Sequence, residues 1–209
     1  MQSSVPLTGP ITTVVFDLGQ VLVRWDPYEA FAGRWTREEF DAFHDEIDFP
    51  GFNHEQDAGR SFADARAALE RSHPHRADDF DHYVTNFARS LGGPVPGTTE
   101  IVEELIAADI RVLGLTNWSA ENFHEAARSA PVINRLEGVL VSGEVGVAKP
   151  DPAIYDLLIQ RFKLDPPLTV FTDDSLRNVD AASGAGLVAR HFTGAEQLRA
   201  DLRELGLPV

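Results

Sequence analysis

Apolar residues follow two kinds of pattern along this chain. Short runs without polar alternation recur at Ile11-Thr12-Thr13-Val14-Val15-Phe16, Ile110-Arg111-Val112-Leu113-Gly114-Leu115, Val139-Leu140-Val141, Leu168-Thr169-Val170-Phe171 and Leu187-Val188-Ala189-Arg190. Such runs predict strands buried on both faces. Between them, apolar residues recur at helical spacing. This predicts helices from about Thr99 to Ala108, from Ser119 to Arg128, and from Asn178 to Ala185 with Gly186 as the stop. Asp151 caps a further helix with Pro152 at its first position, where the missing N–H costs little. Thr193-Gly194-Ala195-Glu196 reads as a capping box opening the last helix. Strands alternating with helices of this length imply right-handed βαβ units. The fold class is therefore α/β, a doubly wound, Rossmann-like parallel sheet covered on both faces.

The segment from Trp25 to Ser90 breaks the alternation. Its 66 residues hold 12 of the 19 aromatic residues and few β-branched ones. Thr36-Arg37-Glu38-Glu39 is a capping box. Ser61 precedes a helix over Phe62–Leu69, and Phe80, Tyr83, Val84 and Phe87 mark one over Asp78–Ala88. Phe49 to Arg60 reads as a Gly- and Asn-containing loop between them, and Gly92 to Gly97 as a linker. The division is an α/β core of residues 1–24 and 91–209, with a small helical cap of residues 25–90 inserted after the first strand. Such a cap sits over the carboxyl edge of the sheet, where ligands bind in open α/β folds.

Charge and composition narrow the chemistry. Eighteen Lys+Arg stand against 33 Asp+Glu, a net charge of −15, and 15 of the acids against 7 arginines lie in the cap. Nucleic acid and anionic membranes are thereby disfavoured as partners. The absence of cysteine removes thiolate metal sites and cysteine nucleophiles. No stretch is long and apolar enough to span a bilayer. The uncharged first sixteen residues lack the basic start of a leader and are followed by Asp17, so a cytoplasmic protein is expected. Only two of the 18 cations are lysine, Lys149 and Lys163. His73-Pro74-His75 reads as a loop rather than a metal site, and Trp25 and Trp118 as candidate pocket walls.

Polar groups collect at the strand ends. Asp17 ends the first strand, Thr116-Asn117 the second and Asp173-Asp174 the fourth, while Lys149 precedes the Asp151–Pro152 helix start. Singly, each has an ordinary reading as a cap, a turn residue or a solvated cation. Together, three carboxylates at one sheet edge repel one another unless a cation or a shared proton compensates. A hard, oxygen-seeking metal suits this set, and Mg²⁺ is the natural choice with few protein carboxylates and several waters. A metal beside a lysine and a Thr hydroxyl makes a pocket for a dianion, phosphate first. Asp17 could then attack as a nucleophile to form an aspartyl phosphate, with the metal and Lys149 offsetting charge on the transferring group.

The segments Phe16-Asp17-Leu18-Gly19-Gln20-Val21-Leu22, Leu115-Thr116-Asn117-Trp118-Ser119, Ala148-Lys149-Pro150-Asp151 and Phe171-Thr172-Asp173-Asp174-Ser175 resemble, in order and spacing, motifs I to IV of the haloacid dehalogenase superfamily. The resemblance covers essentially the whole chain, and the insertion resembles that superfamily's helical cap. The nearest pattern is the subgroup with Asp-Leu-Gly in motif I, which includes a bacterial α-glucose-1-phosphate phosphatase. The resemblance implies Asp17 as nucleophile and metal ligand, the Gly19 carbonyl as a metal ligand, and Thr116 and Asn117 as substrate-binding. It implies Lys149 as the catalytic and phosphate-binding lysine, Asp174 as a metal ligand, and Asp173 as a ligand or supporting acid. The expected activity is Mg²⁺-dependent hydrolysis of a small phosphate monoester, sugar phosphates included.

Two positions depart from that pattern. Gly19 stands where most phosphatases of the superfamily carry the acid/base Asp, and Asn178 replaces a further acid after motif IV. A good leaving group would relieve the first loss. So would a cap residue, with His54, Glu55 and Asp57 in the polar stretch Phe52–Arg60 as candidates. A weakly catalytic binding module is the reading from another class. Metal-independent dehalogenation is the rival chemistry, against which the carboxylate pair Asp173-Asp174 argues, since it would repel a haloacid anion.

Overall fold

The computed structural model describes residues 9–209; the start of the chain, on which the expected lack of a leader bears, lies outside them. Strand β1 (Thr13–Phe16) is wholly buried. Strand β2 (Val23–Trp25) leads into the cap, whose helices are α1 (Arg37–Glu46), α2 (Phe49–Asp57), α3 (Phe62–Ser72) and α4 (Ala77–Thr85). The chain returns through β3 (Leu91–Pro94) and continues as α5 (Thr98–Ala107), β4 (Arg111–Thr116), α6 (His124–Ser129), β5 (Gly138–Val141), α7 (Ser142–Val145) and α8 (Pro152–Phe162). Strand β6 (Thr169–Asp173), α9 (Leu176–Gly184), β7 (Val188–His191) and α10 (Ala195–Glu204) complete it.

Five strands form one sheet in the order β5-β4-β1-β6-β7, and every pairing is parallel. Side chains alternate across a strand, and the packing follows that alternation. Val14 and Phe16 of β1 join a core with Val112, Val170, Ile101 and Leu105 of α5, and Leu198 and Leu202 of α10. Val15, Leu113, Leu115, Leu140 and Phe171 point the other way, onto Ile154, Tyr155 and Leu158 of α8 and Ala182 of α9. Both faces are dry, which accounts for the unbroken apolar runs in the sequence. The parallel α/β architecture is thus the one expected.

The cap packs its own aromatic core. Phe31 stacks on Trp35 with ring centroids 4.4 Å apart and touches Phe40, Phe43 and Tyr83, while Phe49 meets Tyr83 edge-on at 5.2 Å. The capping box at Thr36 is formed, with reciprocal bonds to Glu39. Phe87 meets Trp118 at 5.9 Å, so the cap core runs into the sheet core.

Four expectations are corrected. Residues Phe49–Asp57 form α2 rather than a loop, because Asp48 caps the helix through Gly51 N–H and Pro50 occupies its first turn. Gly92 and Gly93 belong to β3, which pairs antiparallel with β2 and closes the stalk of the cap. The helix expected from Ser119 begins only at His124, since Gly143 holds the preceding loop: its N–H donates to the Trp118 carbonyl at 3.1 Å. A Cβ on Gly143 would lie 2.5 Å from the Ala120 nitrogen, so only glycine allows this approach. The last helix starts at Ala195 without the expected box; Gln197, not Glu196, accepts the Thr193 N–H.

Phe31 is fully buried among five aromatic neighbours. Phe31→Ala is expected to destabilise the protein by about 3–5 kcal/mol, read as a lowered urea midpoint. A change below about 1 kcal/mol would show that the cap aromatics do not pack as one core.

Candidate active site

The parallel sheet brings the three motif-bearing strand ends together. Asp17 follows β1 directly, Thr116 ends β4, and Asp173 ends β6 with Asp174 next in the chain. β1 lies between β4 and β6 in the sheet, so residues far apart in sequence become neighbours at one edge. One carboxylate oxygen from each of Asp17, Asp173 and Asp174 lies within 4.8 Å of the others. Asp17 and Asp173 are buried, whereas Asp174 is exposed at the rim.

Lys149 sits at the centre of this group and is only 2% exposed. Its ammonium has three protons to place. They go to Asp17 Oδ1 at 2.8 Å, Asp173 Oδ2 at 2.7 Å and the Leu115 carbonyl at 3.1 Å. Burial alone would lower the Lys149 pKa, but the two carboxylates outweigh it and hold it above its ordinary value. The backbone carrying Lys149 is clamped in turn by Asn117, whose Oδ1 accepts the Lys149 N–H at 2.8 Å and whose Nδ2 donates to the Lys149 carbonyl at 2.9 Å. Asn117, expected to bind substrate, thus spends both ends of its amide on positioning the lysine.

Asp173 is similarly committed. Its Oδ1 accepts the Ser175 N–H and the Asn178 amide, both at 2.9 Å, while Oδ2 holds Lys149. These bonds favour the supporting role over direct metal ligation, and they give Asn178 the orienting function of an amide. Asp17 differs: Oδ1 accepts from Lys149 and from the Leu18 N–H at 2.7 Å, while Oδ2 has no hydrogen-bond partner among the described residues. The Thr116 hydroxyl is buried and unpartnered, as are Trp25 Nε1, Trp118 Nε1 and Asn122 Oδ1. Buried polar groups left unpaired cost about 1–3 kcal/mol each; a fifth, Thr172 Oγ1, lies within β6, while Trp25, Trp118 and Asn122 line one cavity and could meet polar ligand atoms there.

The donor set fits a divalent cation. When all are ionised, the three carboxylates outnumber the one ammonium at this edge by two charges. Burial pushes the Asp17 carboxyl up to about 8, Lys149 pulls against this, and Asp173 and Asp174 reinforce it. A dication supplied to oxygen donors would remove that penalty.

A cavity of about 80 Å³ opens between cap and core beside this edge. The core contributes Gly19, Asn117, Trp118 and Asn122, and the cap side Trp25, Asn53, Asp57, Phe62, Tyr83 and Phe87. Both tryptophans expected as pocket walls do line it. Of the three cap candidates, Asp57 lines this cavity and Glu55 is exposed; His54, also exposed, lines two neighbouring clefts, one shared with Asp57 and the other with Asn117 and Lys149. Sequence reasoning missed Ser142, whose buried hydroxyl accepts the Trp118 N–H at 3.0 Å, and with it the Gly143 contact. The Ser-Gly pair directly after the third apolar run was the available signal.

A family model described as haloacid dehalogenase-like hydrolase matches residues 11–186. A sesquiterpene phosphatase from Aspergillus oryzae is 30% identical over 107 residues, 51% of this chain and 55% of that protein. Protein CbbY from Cereibacter sphaeroides is 31% identical over 145 residues, 63% of each. The chain therefore spans less than two thirds of these relatives. Among solved structures, the magnesium complex of a HAD family enzyme from Bacteroides thetaiotaomicron superposes with a TM-score of 0.73 at 21% identity, covering 93% of this chain and all of that one. At that identity the likeness is one of fold.

Because folding raises the Asp17 pKa, its protonated form is favoured in the native state. In EDTA the contribution of Asp17 to stability is full below the unfolded value of 3.8 and is lost as pH rises towards about 8. Urea unfolding at pH 5.5 and 8.5 is expected to show a larger loss of stability across that window in wild type than in Asp17→Asn. Identical pH dependence in the two proteins would contradict this account of the site.

Proposed function

We propose a reaction from one premise: this chain belongs to the haloacid dehalogenase-like hydrolase family, and within it acts as a Mg²⁺-dependent phosphatase of small phosphate monoesters. One observation carries the proposal. A carboxylate with a free Oδ2 lies in a three-carboxylate cluster whose full ionisation a single buried lysine cannot neutralise. A dehalogenase without metal would have to hold a haloacid anion against that excess charge.

Asp17 Oδ2 attacks phosphorus and forms an aspartyl phosphate. Lys149 keeps Asp17 Oδ1 fixed, so the attacking oxygen is presented in one orientation, and its charge lies beside the phosphoryl oxygens. The unpartnered Thr116 hydroxyl donates to one of those oxygens. Asp17, Asp174 and the Gly19 carbonyl would hold Mg²⁺, which supplies charge compensation for the transferring group. Asp173 anchors Lys149 and is not itself required as a ligand. Water then hydrolyses the aspartyl phosphate and regenerates Asp17.

The leaving alcohol occupies the cavity between cap and core. Its aromatic walls accept an apolar ring face or carbon skeleton, while Trp25 Nε1, Trp118 Nε1 and Asn122 Oδ1 are available to hydroxyls.

A panel of phosphorylated metabolites with Mg²⁺ is expected to show phosphate release that Asp17→Asn abolishes. Halide release from a 2-haloacid that persists in EDTA would overturn the phosphatase assignment. Separately, Mg²⁺ at one hundred times its Kd should stabilise the protein by about 2.7 kcal/mol, a Tm rise of roughly 5–10 °C. Asp174→Asn should lose most of that rise, and an undiminished shift would remove Asp174 from the ligand set.

A further inference from the structure

We propose that Asp57, carried on the cap, is the general acid and base of this reaction and fills the place left empty at Gly19. The inference rests on the phosphatase reading above. Apart from its chain neighbours, no atom lies within 4 Å of where a Cβ on Gly19 would stand, so the position two residues after the nucleophile has open space for an acid. Gly19 and Asp57 line the same cavity, one from the core and one from the cap. The group missing from one wall is therefore present on the other.

Asp57 is held at a defined position relative to the core. Two residues on, Gly59 (φ +102°) packs so closely on Gly146 that a Cβ there would lie 3.2 Å from the Gly146 Cα. Beyond it, the Phe62 N–H donates to the Glu121 carboxylate at 2.6 Å. These two contacts pin the segment after α2 to the core on either side of Arg60. Within α2, the Asn53 amide donates to Asp57 Oδ2 at 3.2 Å, and Oδ1 has no bond among the described residues. One oxygen is thereby anchored and the other left for the substrate. Burial pushes the Asp57 carboxyl up to about 7, against the Lys149 charge and the Asn53 bond. A proton-bearing population near neutrality is what a general acid needs.

In the first step the Asp17 Oδ2–phosphorus bond forms as the ester P–O bond breaks. The departing oxygen takes the Asp57 proton, leaving alcohol and the Asp57 carboxylate. In the second step that carboxylate takes a proton from water as the water oxygen bonds to phosphorus and the Asp17–phosphorus link breaks. Hydrogen phosphate is released, the Asp17 carboxylate and protonated Asp57 are restored, and the sum is ester plus water to alcohol plus hydrogen phosphate.

Two substrates test this, both assayed with Mg²⁺: acetyl phosphate, whose carboxylate leaving group needs no proton, and the alkyl phosphate hydrolysed fastest in the metabolite panel. kcat/KM reads the steps through the first phosphoryl transfer, so it isolates the acid role. Asp57→Asn is expected to lower kcat/KM on the alkyl ester by ~10²–10³-fold and on acetyl phosphate by less than about tenfold. Equal losses on both substrates, or no loss on the alkyl ester, would overturn the assignment. If Asp57→Asn does not fold, Asp57→Ala is measured on the same pair. Wild-type protein that releases phosphate from neither substrate would instead refute the phosphatase reading, and the inference with it.

Discussion

A buried ammonium cannot stand alone, and this constraint organises the whole active edge. Lys149 is stable in the interior because three acceptors meet its three protons, two of them charged. Each acceptor comes from a different strand or strand end, so the ion cluster also ties β1, β4 and β6 together at one edge. Removing any partner would strand a charge in a dry site. The remaining bonds around it follow: Asn117 fixes the lysine backbone, while Asn178 and the Ser175 N–H fix Asp173. The result is a rigid cluster that leaves Asp17 Oδ2 unspent among the described residues.

That rigidity divides labour between the two parts of the chain. The core holds the charges, which need fixed distances and a parallel sheet to converge. The cap supplies shape: an aromatic shell packed largely on itself, one face of which is left to wall a small cavity. The cap's excess of acid does not crowd the site, because much of it is spent on arginine. Asp26 pairs with Arg37, Glu46 and Asp79 with Arg76, and Asp81 with Arg66. The net charge of −15 is thus compatible with an anionic substrate, whose attraction is local.

Asp17, Thr116 and Asp173 were legible because each lies where an apolar run stops, and a strand end in a parallel sheet has only one edge to which it can go. Their partners were less so. Asn117 looked like a substrate group until its amide was found closing on Lys149, a residue 32 positions away. Asp173 could be ligand or support on sequence alone, and the count of its hydrogen bonds separates the two. Helix α2 was read as a loop because Gly51 and Asn53 are poor helix formers. The Asp48 cap and burial of Phe49 and Gln56 override that propensity. The same misreading hid how Asp57 is held, since only a helix brings Asn53 and Asp57 together on one face.

The amino-acid sequence by itself determined the parallel sheet and which charged groups stand at its strand ends. These depend on local periodicity and on strand ends that share a direction. Tertiary structure alone decided which oxygen of Asp17 stays free, what Asn117 binds, and which of His54, Glu55 and Asp57 shares a cavity with Gly19. Each of those depends on packing between segments distant in the chain, through contacts such as Gly143 on the Trp118 loop and Gly59 on Gly146. Such contacts leave little trace in periodicity, because a close backbone approach requires only that a side chain be absent.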